Sequence, residues 1–399
     1  MAASRRFPLL VLLCLVAVSE RVRTVYAWLI QSRNCRRPRI LHRRPEGSPF
    51  PISTCTARFA PAKRRKNALD STTDNVSDAS IINGNYYSTS LLSNEQNLRF
   101  MGVGRLYSES EDSSSSYDSS PESILQRLQQ STVAVIGLGG VGSWAAEALC
   151  RSGIGHLVLI DLDDVCISNT NRQLHATSTT VGKMKIDVMA QRLREINPQI
   201  KIQRIHDFLS LDNVHEILES LMSSSAQTDD DENIYSDNIV LPPLTLVLDA
   251  IDGAPEKSAL LAACTDLKVA VVTCGGAAGR MDPTKIVCRD LTDVTKDKLL
   301  ATVRKTLRKY HGFEQGLPFH QKRKDPNGEV RQWNIDAVYS LEEQKQLPPS
   351  NIETSSLRRC DSALGTACFV TGTYGFVAAA QAVQKIATNS VKAPTRGLL

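Results

Sequence analysis

The chain has 399 residues, a length that fits two domains or one large domain with appendages. The formal net charge of +5 averages two unlike regions: residues 1–69 carry 15 Lys/Arg and 2 Asp/Glu, whereas the rest of the chain is acidic. The overall charge is therefore no sign of nucleic-acid binding, which would need a local patch. The ten cysteines contain no C-x-x-C pair, which argues against a disulfide scaffold and a four-cysteine zinc site.

The first 69 residues are predicted to be a basic targeting presequence. Arg5 and Arg6 precede an apolar run at 7–18, too short to cross a bilayer and typical of a signal peptide. Residues 30–69 are rich in Arg, Ser and Pro, as transit peptides are. A signal followed by a transit-like stretch favours import into a plastid; the alternative is the mitochondrion or its outer membrane. No transmembrane span is expected beyond an N-terminal signal or anchor.

Residues 70–95 are Ser- and Asn-rich and are predicted to be a disordered linker. From residue 132 onward, short apolar runs alternate with helical periodicity. Helices are predicted at 183–196 and 256–267. The predicted strands are 132–138, 156–162, 200–205, 244–251 and 268–274. This alternation predicts an α/β fold: a Rossmann-like, doubly wound, mostly parallel sheet with helices on both faces, followed by a C-terminal α/β extension.

The predicted domain covers 97–290 and is interrupted by polar, low-complexity insertions at 108–120 and 223–237. A C-terminal part follows at 291–390. Its stretch 296–332 has a local net charge of +6 and is predicted to begin as a basic amphipathic helix. Its uncharged stretch Ser362–Gln384 is rich in Thr and Gly, so a buried helix or a dimer face is expected there rather than a membrane span.

A glycine-rich turn follows the first predicted strand and opens a helix. Its residues Gly137, Gly139, Gly140 and Gly142 allow backbone N–H groups and a helix N-terminus to approach a phosphate. Asp161 ends the next strand, at the distance where an acid reaches a ribose hydroxyl. These features serve NAD and ATP equally well.

A cluster of polar residues decides between the two nucleotides. Asn169, Arg172 and Lys185 follow the second strand, and Asp252 follows the fourth. A triphosphate needs cations to offset its charge and a carboxylate to hold Mg²⁺, whereas a dinucleotide needs no such cluster. The pattern G-x-x-x-x-G-K-[ST] is absent, so the chain is not a P-loop protein.

Several separated runs resemble a known family. Residues 133–195 resemble the ThiF/MoeB superfamily, relatives of the ubiquitin-activating enzymes that adenylate carboxylates with MgATP. The runs that resemble its tRNA threonylcarbamoyladenosine dehydratase branch are GVGSWAAEALCRSGIGHLVLIDLDDVCISNTNRQLHA, RFMGVGRLYS (99–108), VLDAIDG (247–253), GGAAGRMDPTKI (275–286) and the tail at 357–387.

The resemblance implies a ThiF-type ATP-binding domain at 97–290 and a role for each matching residue. Asp161 would bind ribose, and the glycines 137–142 would face the phosphates. Asn169, Arg172 and Lys185 would contact the phosphates, and Asp252 would hold Mg²⁺. Arg105 matches an arginine that reaches into the site from the second subunit of a homodimer.

The implied reaction is the ATP-dependent dehydration of threonylcarbamoyladenosine in tRNA beside the anticodon, through an acyl-adenylate. The alternative is adenylation of the C-terminus of a ubiquitin-like sulfur-carrier protein; the absent paired zinc cysteines count against it. A sulfur-relay or electron-transfer partner is left open. The residues expected to bind tRNA are Arg304, Lys305, Arg308, Lys309, Lys322, Arg323 and Lys324.

Overall fold

The computed structural model describes residues 93–108, 118–223, 241–314, 332–345 and 364–397. The presequence, most of the linker, most of both polar insertions and the expected tRNA-binding residues Lys322, Arg323 and Lys324 therefore lie outside the described residues. The first helix of the described residues begins at Asn94 and is capped by the Ser93 side chain, so the last two residues of the predicted linker are helical.

The described strands form one seven-stranded sheet. Its strands are β1 (Thr132–Ile136), β2 (His156–Ile160), β3 (Lys201–Ile205), β4 (Leu244–Asp249), β5 (Ala270–Cys274), β6 (Ile286–Asp290) and β7 (Asp336–Ser340). Their order is β3-β2-β1-β4-β5-β7-β6, and every neighbouring pair is parallel except β7 with β6. The five predicted strands are confirmed to within two residues at each end.

Eight α-helices lie within the described ranges. They are α1 (Asn94–Tyr107), α2 (Pro121–Gln130), α3 (Gly142–Arg151), α4 (Lys185–Ile196), α5 (Val214–Met222), α6 (Ala254–Asp266), α7 (Lys298–Tyr310) and α8 (Cys368–Ala387). The helices predicted at 183–196 and 256–267 are confirmed as α4 and α6. None of the described helices is long and apolar enough to cross a membrane.

Helices cover both faces of the sheet, as the sequence predicted. Side chains alternate between the faces along a strand, so Val133 and Val135 of β1 pack in one core while Ala134 and Ile136 pack in the other. The first core is completed by α1 to α4 and α8, and the second by α5, α6 and α7.

The C-terminal part is built into the same sheet. β7 lies between β5 and β6, so the sheet continues across the predicted boundary at residue 290. Helix α8 packs directly on α3. A Cβ atom at Gly375 would clash with the Val141 carbonyl and the Ala145 amide, and the Phe376 ring meets Trp144 edge to face at 5.9 Å.

Candidate nucleotide-binding site

The strand order places a crevice beside the carboxyl end of β1. The chain leaves β1 toward β2 on one side, whereas β4 lies on the other side, and ligands bind at such a switch point in doubly wound folds. The glycine turn, Asp161 and Asp252 follow the ends of β1, β2 and β4, so the fold brings all three to this edge.

The glycine turn is held in a conformation that requires glycine at two positions. Gly137 has a φ of +86°, which L-residues with side chains rarely adopt. A Cβ atom on Gly142 would overlap the carbonyl oxygen of Gly137. No side chain caps the start of α3, so its first N–H groups lack a side-chain acceptor and can receive an anion.

Asp161 ties the glycine turn to β2. Its buried carboxylate accepts the Leu138 N–H at 2.6 Å and the Asp163 N–H at 2.8 Å. Burial raises the pKa of Asp161, while Lys185 and these N–H groups oppose the rise. Each carboxylate oxygen has a second lone pair, so Asp161 can still accept a ribose hydroxyl.

Lys185 is buried at the start of α4, and its Nζ donates to Asp163 Oδ2 at 2.7 Å. The charge of Lys185 acts to lower the pKa of both Asp161 and His175. Lys185 is thus a buried cation paired with the carboxylate two residues after Asp161.

Arg172 and Asn169 belong to the loop between β2 and α4. Asn169 is buried, and its Oδ1 accepts the Cys166 N–H at 3.0 Å. Arg172 lies against the glycine turn, because a Cβ atom on Gly140 would be 3.4 Å from Arg172 Cγ. Its Nη1 donates to the Ser168 carbonyl at 2.8 Å.

Asp252 is exposed in the turn between β4 and α6. This turn touches the glycine turn, since the Ala250 N–H donates to the Ile136 carbonyl at 2.9 Å and the Ala250 oxygen is 3.1 Å from an ideal Cβ on Gly137. Mg²⁺ is commonly bound by one or two carboxylates together with substrate phosphates, and an exposed Asp252 fits that donor set.

Arg105 lies elsewhere in its own chain. Helix α1 packs on the C-terminal ends of α3 and α4: Phe100 covers Gly153, and Gln96 Nε2 donates to Asn197 Oδ1 at 2.9 Å. The glycine turn and Lys185 lie at the opposite, N-terminal ends of those helices. The exposed Arg105 is therefore not brought to the crevice of the same chain.

The basic side chains of helix α7 fall into two groups: two arginines contact the protein itself, and two lysines are exposed. Arg304 Nη1 donates to the carbonyls of Leu291, Thr292 and Val294, and the Arg308 guanidinium lies 5.5 Å from the centre of the Trp333 ring. These arginines serve the protein's own structure. Lys305 and Lys309 are exposed.

Three basic residues are among the buried ionisable groups that sequence reasoning missed. Lys257 pairs with Asp249 inside the sheet, Arg280 pairs with Asp297, and His175 is 2% exposed near Lys185. Lys257 comes directly before the small and apolar run 258–264 of helix α6, which is the signal that could have revealed it; a lone His gives none.

A doubly wound sheet with a glycine turn, an acid after β2 and cations beside the turn defines a nucleotide-binding protein of the Rossmann-like class. The profile of the ThiF family matches residues 116–396, and the chain belongs to this family.

Two relatives that this chain covers along more than nine-tenths of their length share one name. The tRNA threonylcarbamoyladenosine dehydratase of Haemophilus influenzae is 40% identical over 291 residues, covering 72% of this chain and 93% of that protein. The Escherichia coli enzyme of the same name is 35% identical over 303 residues, covering 74% and 95%. The crystal structure of the E. coli dehydratase with ATP superposes with a TM-score of 0.56 at 36% identity, covering 75% of this chain and 97% of that one.

Proposed function

We propose that this protein catalyses the ATP-dependent dehydration of threonylcarbamoyladenosine in tRNA, which closes a ring through an acyl-adenylate. The observation that supports the proposal is the contact of Arg172 and of Ala250 with the glycine turn. Lys185 binds Asp163, two residues after the Asp161 carboxylate that accepts the Leu138 N–H of that turn, and Asp252 follows Ala250 by two residues. The similarity to the dehydratases along nearly their whole length supports the substrate.

The chemistry needs activation of a poor leaving group. The threonyl carboxylate attacks the α-phosphate of ATP and releases pyrophosphate; a carbamoyl nitrogen or oxygen then attacks the activated carbonyl and expels AMP. Lys185 and Arg172 would offset the charge that develops on the phosphates, and Asp161 would hold the ribose. Ring closure is intramolecular, so proximity can replace a protein nucleophile.

Magnesium enters this proposal through Asp252. Bound there, Mg²⁺ would neutralise phosphate charge during adenylation. Asp252 is exposed, so a metal–phosphate pair can reach its carboxylate.

Isotope exchange tests the adenylation step. With modified tRNA present, the protein should incorporate labelled pyrophosphate into ATP, and nucleosides from the treated tRNA should lose one water by mass spectrometry. Lys185→Met should abolish both signals, whereas Lys183→Met, a change of an exposed neighbour, should keep them. Exchange that depends on a ubiquitin-like protein tail rather than on tRNA would overturn the proposal.

A homodimer would bring Arg105 of one subunit to the crevice of the other, since Arg105 does not reach the crevice of its own chain. One face of α1 exposes Leu98 at 87% and Leu106 at 74%, with Gly102 between them and Arg105 beside them. A second copy that covers these leucines would bury apolar area and could carry its Arg105 toward the other crevice.

Subunit mixing tests that arrangement. Arg105→Ala and Lys185→Met should each be inactive alone. Their mixed dimers contain one site with both residues intact, so an equal mixture should recover about a quarter of wild-type activity. Recovery of none would place Arg105 outside the partner's site.

The tRNA surface would include Lys305 and Lys309 of α7, together with Lys322, Arg323 and Lys324. The exposure of the two α7 lysines supports this role, because phosphate contacts need accessible cations.

We also propose that residues 1–69 direct the protein to an organelle, with a plastid favoured. A fluorescent protein fused behind these residues should collect in plastids. Fluorescence spread through the cytosol would contradict targeting, and mitochondrial fluorescence would select the alternative.

A further inference from the structure

A fully buried polar cluster lies directly beneath the turn that carries Asp252. It consists of Asp249 at the end of β4, Lys257 in α6 and Thr273 in β5; the side chains of the ion pair are both 0% exposed, as is Thr273. Lys257 Nζ donates to Asp249 Oδ2 at 2.7 Å and to Thr273 Oγ1 at 3.2 Å. The Thr273 hydroxyl donates to the same carboxylate oxygen at 2.6 Å.

The other oxygen of Asp249 holds the turn itself. Asp249 Oδ1 accepts the Ile251 N–H at 3.0 Å, one residue before Asp252. On the far side of Asp252, α6 begins at Ala254, and its Lys257 returns to Asp249. The cluster therefore fixes both ends of the segment that carries Asp252 to the sheet.

Stability alone does not explain these buried charges. Moving an ammonium and a carboxylate out of water costs more than their attraction commonly returns, and well-packed apolar replacements are often equally stable or more stable. A hydrogen-bonded ion pair fixes the orientation of its side chains, because its hydrogen bonds are satisfied in one arrangement only. Residues behind a metal ligand orient it in the same way.

We propose that Asp249, Lys257 and Thr273 are positioning residues that hold the Asp252 carboxylate in place for the metal–triphosphate complex. This inference rests on the proposed role of Asp252. It assigns none of the three a contact with the substrate. It predicts that the cluster affects metal-dependent binding of ATP more than binding of ATP itself.

Calorimetric titration with ATP, in excess Mg²⁺ and in EDTA, measures this difference. The main variant is the apolar triple Asp249→Leu, Lys257→Met and Thr273→Val, whose thermal midpoint should stay near that of the wild type. Its gain in ATP affinity on adding Mg²⁺ should fall about tenfold, while its affinity in EDTA stays within about twofold. Thr273→Val alone, a milder change that keeps the ion pair, should show a smaller loss of the same kind.

Two further variants complete the design. Lys257→Arg keeps the positive charge, so this variant should retain more of the gain in ATP affinity on adding Mg²⁺ than the triple variant does. Lys201→Met replaces an exposed lysine at the far end of β3 and should change nothing. Equal losses of affinity in Mg²⁺ and in EDTA for both the triple variant and Thr273→Val would show a merely structural role and overturn the inference.

The variant Asp252→Ala separates this inference from the proposed function. If Asp252→Ala keeps the full Mg²⁺ effect, the metal assignment fails and the inference falls with it. If Asp252→Ala loses the effect while the triple variant and Thr273→Val keep it, the role of the cluster alone is overturned.

Discussion

Replacing His175 with phenylalanine tests how burial beside a cation acts on the fold. The His175 ring is 2% exposed, and neither of its nitrogens has a hydrogen-bond partner within the described part of the chain. Burial, and then the charge of Lys185, lower the pKa of His175 from 6.5 to about 4. The folded protein therefore holds a neutral ring at pH values where an unfolded chain would protonate it.

The size and sign of the effect follow from this difference in pKa. As the pH falls below the unfolded value, the unfolded state binds a proton that the folded state does not, so stability is lost between about pH 6.5 and about pH 4. With the folded pKa near 4, the loss attributable to His175 between about pH 7 and about pH 4.5 is about 2.5 kcal/mol.

Urea unfolding followed by circular dichroism measures this loss. Wild type and His175→Phe are compared at both pH values, which cancels the titration of every carboxylate that they share. The wild type should lose about 2–3 kcal/mol more than the variant. His215→Gln, a change at an exposed histidine of α5, should behave as the wild type does. Equal acid sensitivity in wild type and His175→Phe would refute the reasoning.

Three further substitutions, two of them paired with a control variant, test contacts within the fold. Gly142→Ala should lower the thermal midpoint strongly because its methyl group overlaps the Gly137 carbonyl, whereas Gly139→Ala, which meets no described atom within 4 Å, should leave it unchanged. Arg304→Ala should cost about 1–3 kcal/mol in denaturant unfolding through lost bonds to three carbonyls, while Lys305→Glu should keep stability and weaken tRNA binding in a filter assay. Arg280→Lys should cost about 2–4 kcal/mol, because a lysine cannot span the Gly276 and Lys296 carbonyls together; unchanged unfolding would contradict that role.

Strands β1, β2, β4 and β5 were predictable because they are mostly apolar runs. β6 and β7 were missed for opposite reasons. β6 is an edge strand, and its sequence IVCRD alternates weakly and stays partly exposed. β7 is well buried, but its five residues DAVYS are bounded by polar segments and show no run long enough to stand out.

Helix α1 was missed because few of its residues are apolar and inward. It buries Gln96, Phe100 and Gly104, and two of these three give no hydrophobic signal. Gly104 is buried because it lets α1 approach the Pro121 carbonyl closely, a contact that depends on tertiary structure.

The sequence predicted those residues of the candidate site whose position depends on the order of strands along the chain. The glycines, Asp161, Lys185 and Asp252 follow strand ends, so a parallel sheet brings them to one edge. Which charges are buried depends instead on partners distant in sequence, as for Lys257 with Thr273. For the same reason, the sequence did not reveal that Arg304 turns back onto its own chain.

The packing of α8 on α3 determines when, during synthesis of the chain, the nucleotide pocket can form. Thr371 and Gly375 lie against Gly140 and Val141, so the turn for the nucleotide is walled by a segment made more than 200 residues after it. A nascent chain on the ribosome exposes that turn until α8 emerges. The enzyme therefore cannot finish its nucleotide pocket before residues 368–387 have been made, and truncation before residue 368 removes a wall of the pocket.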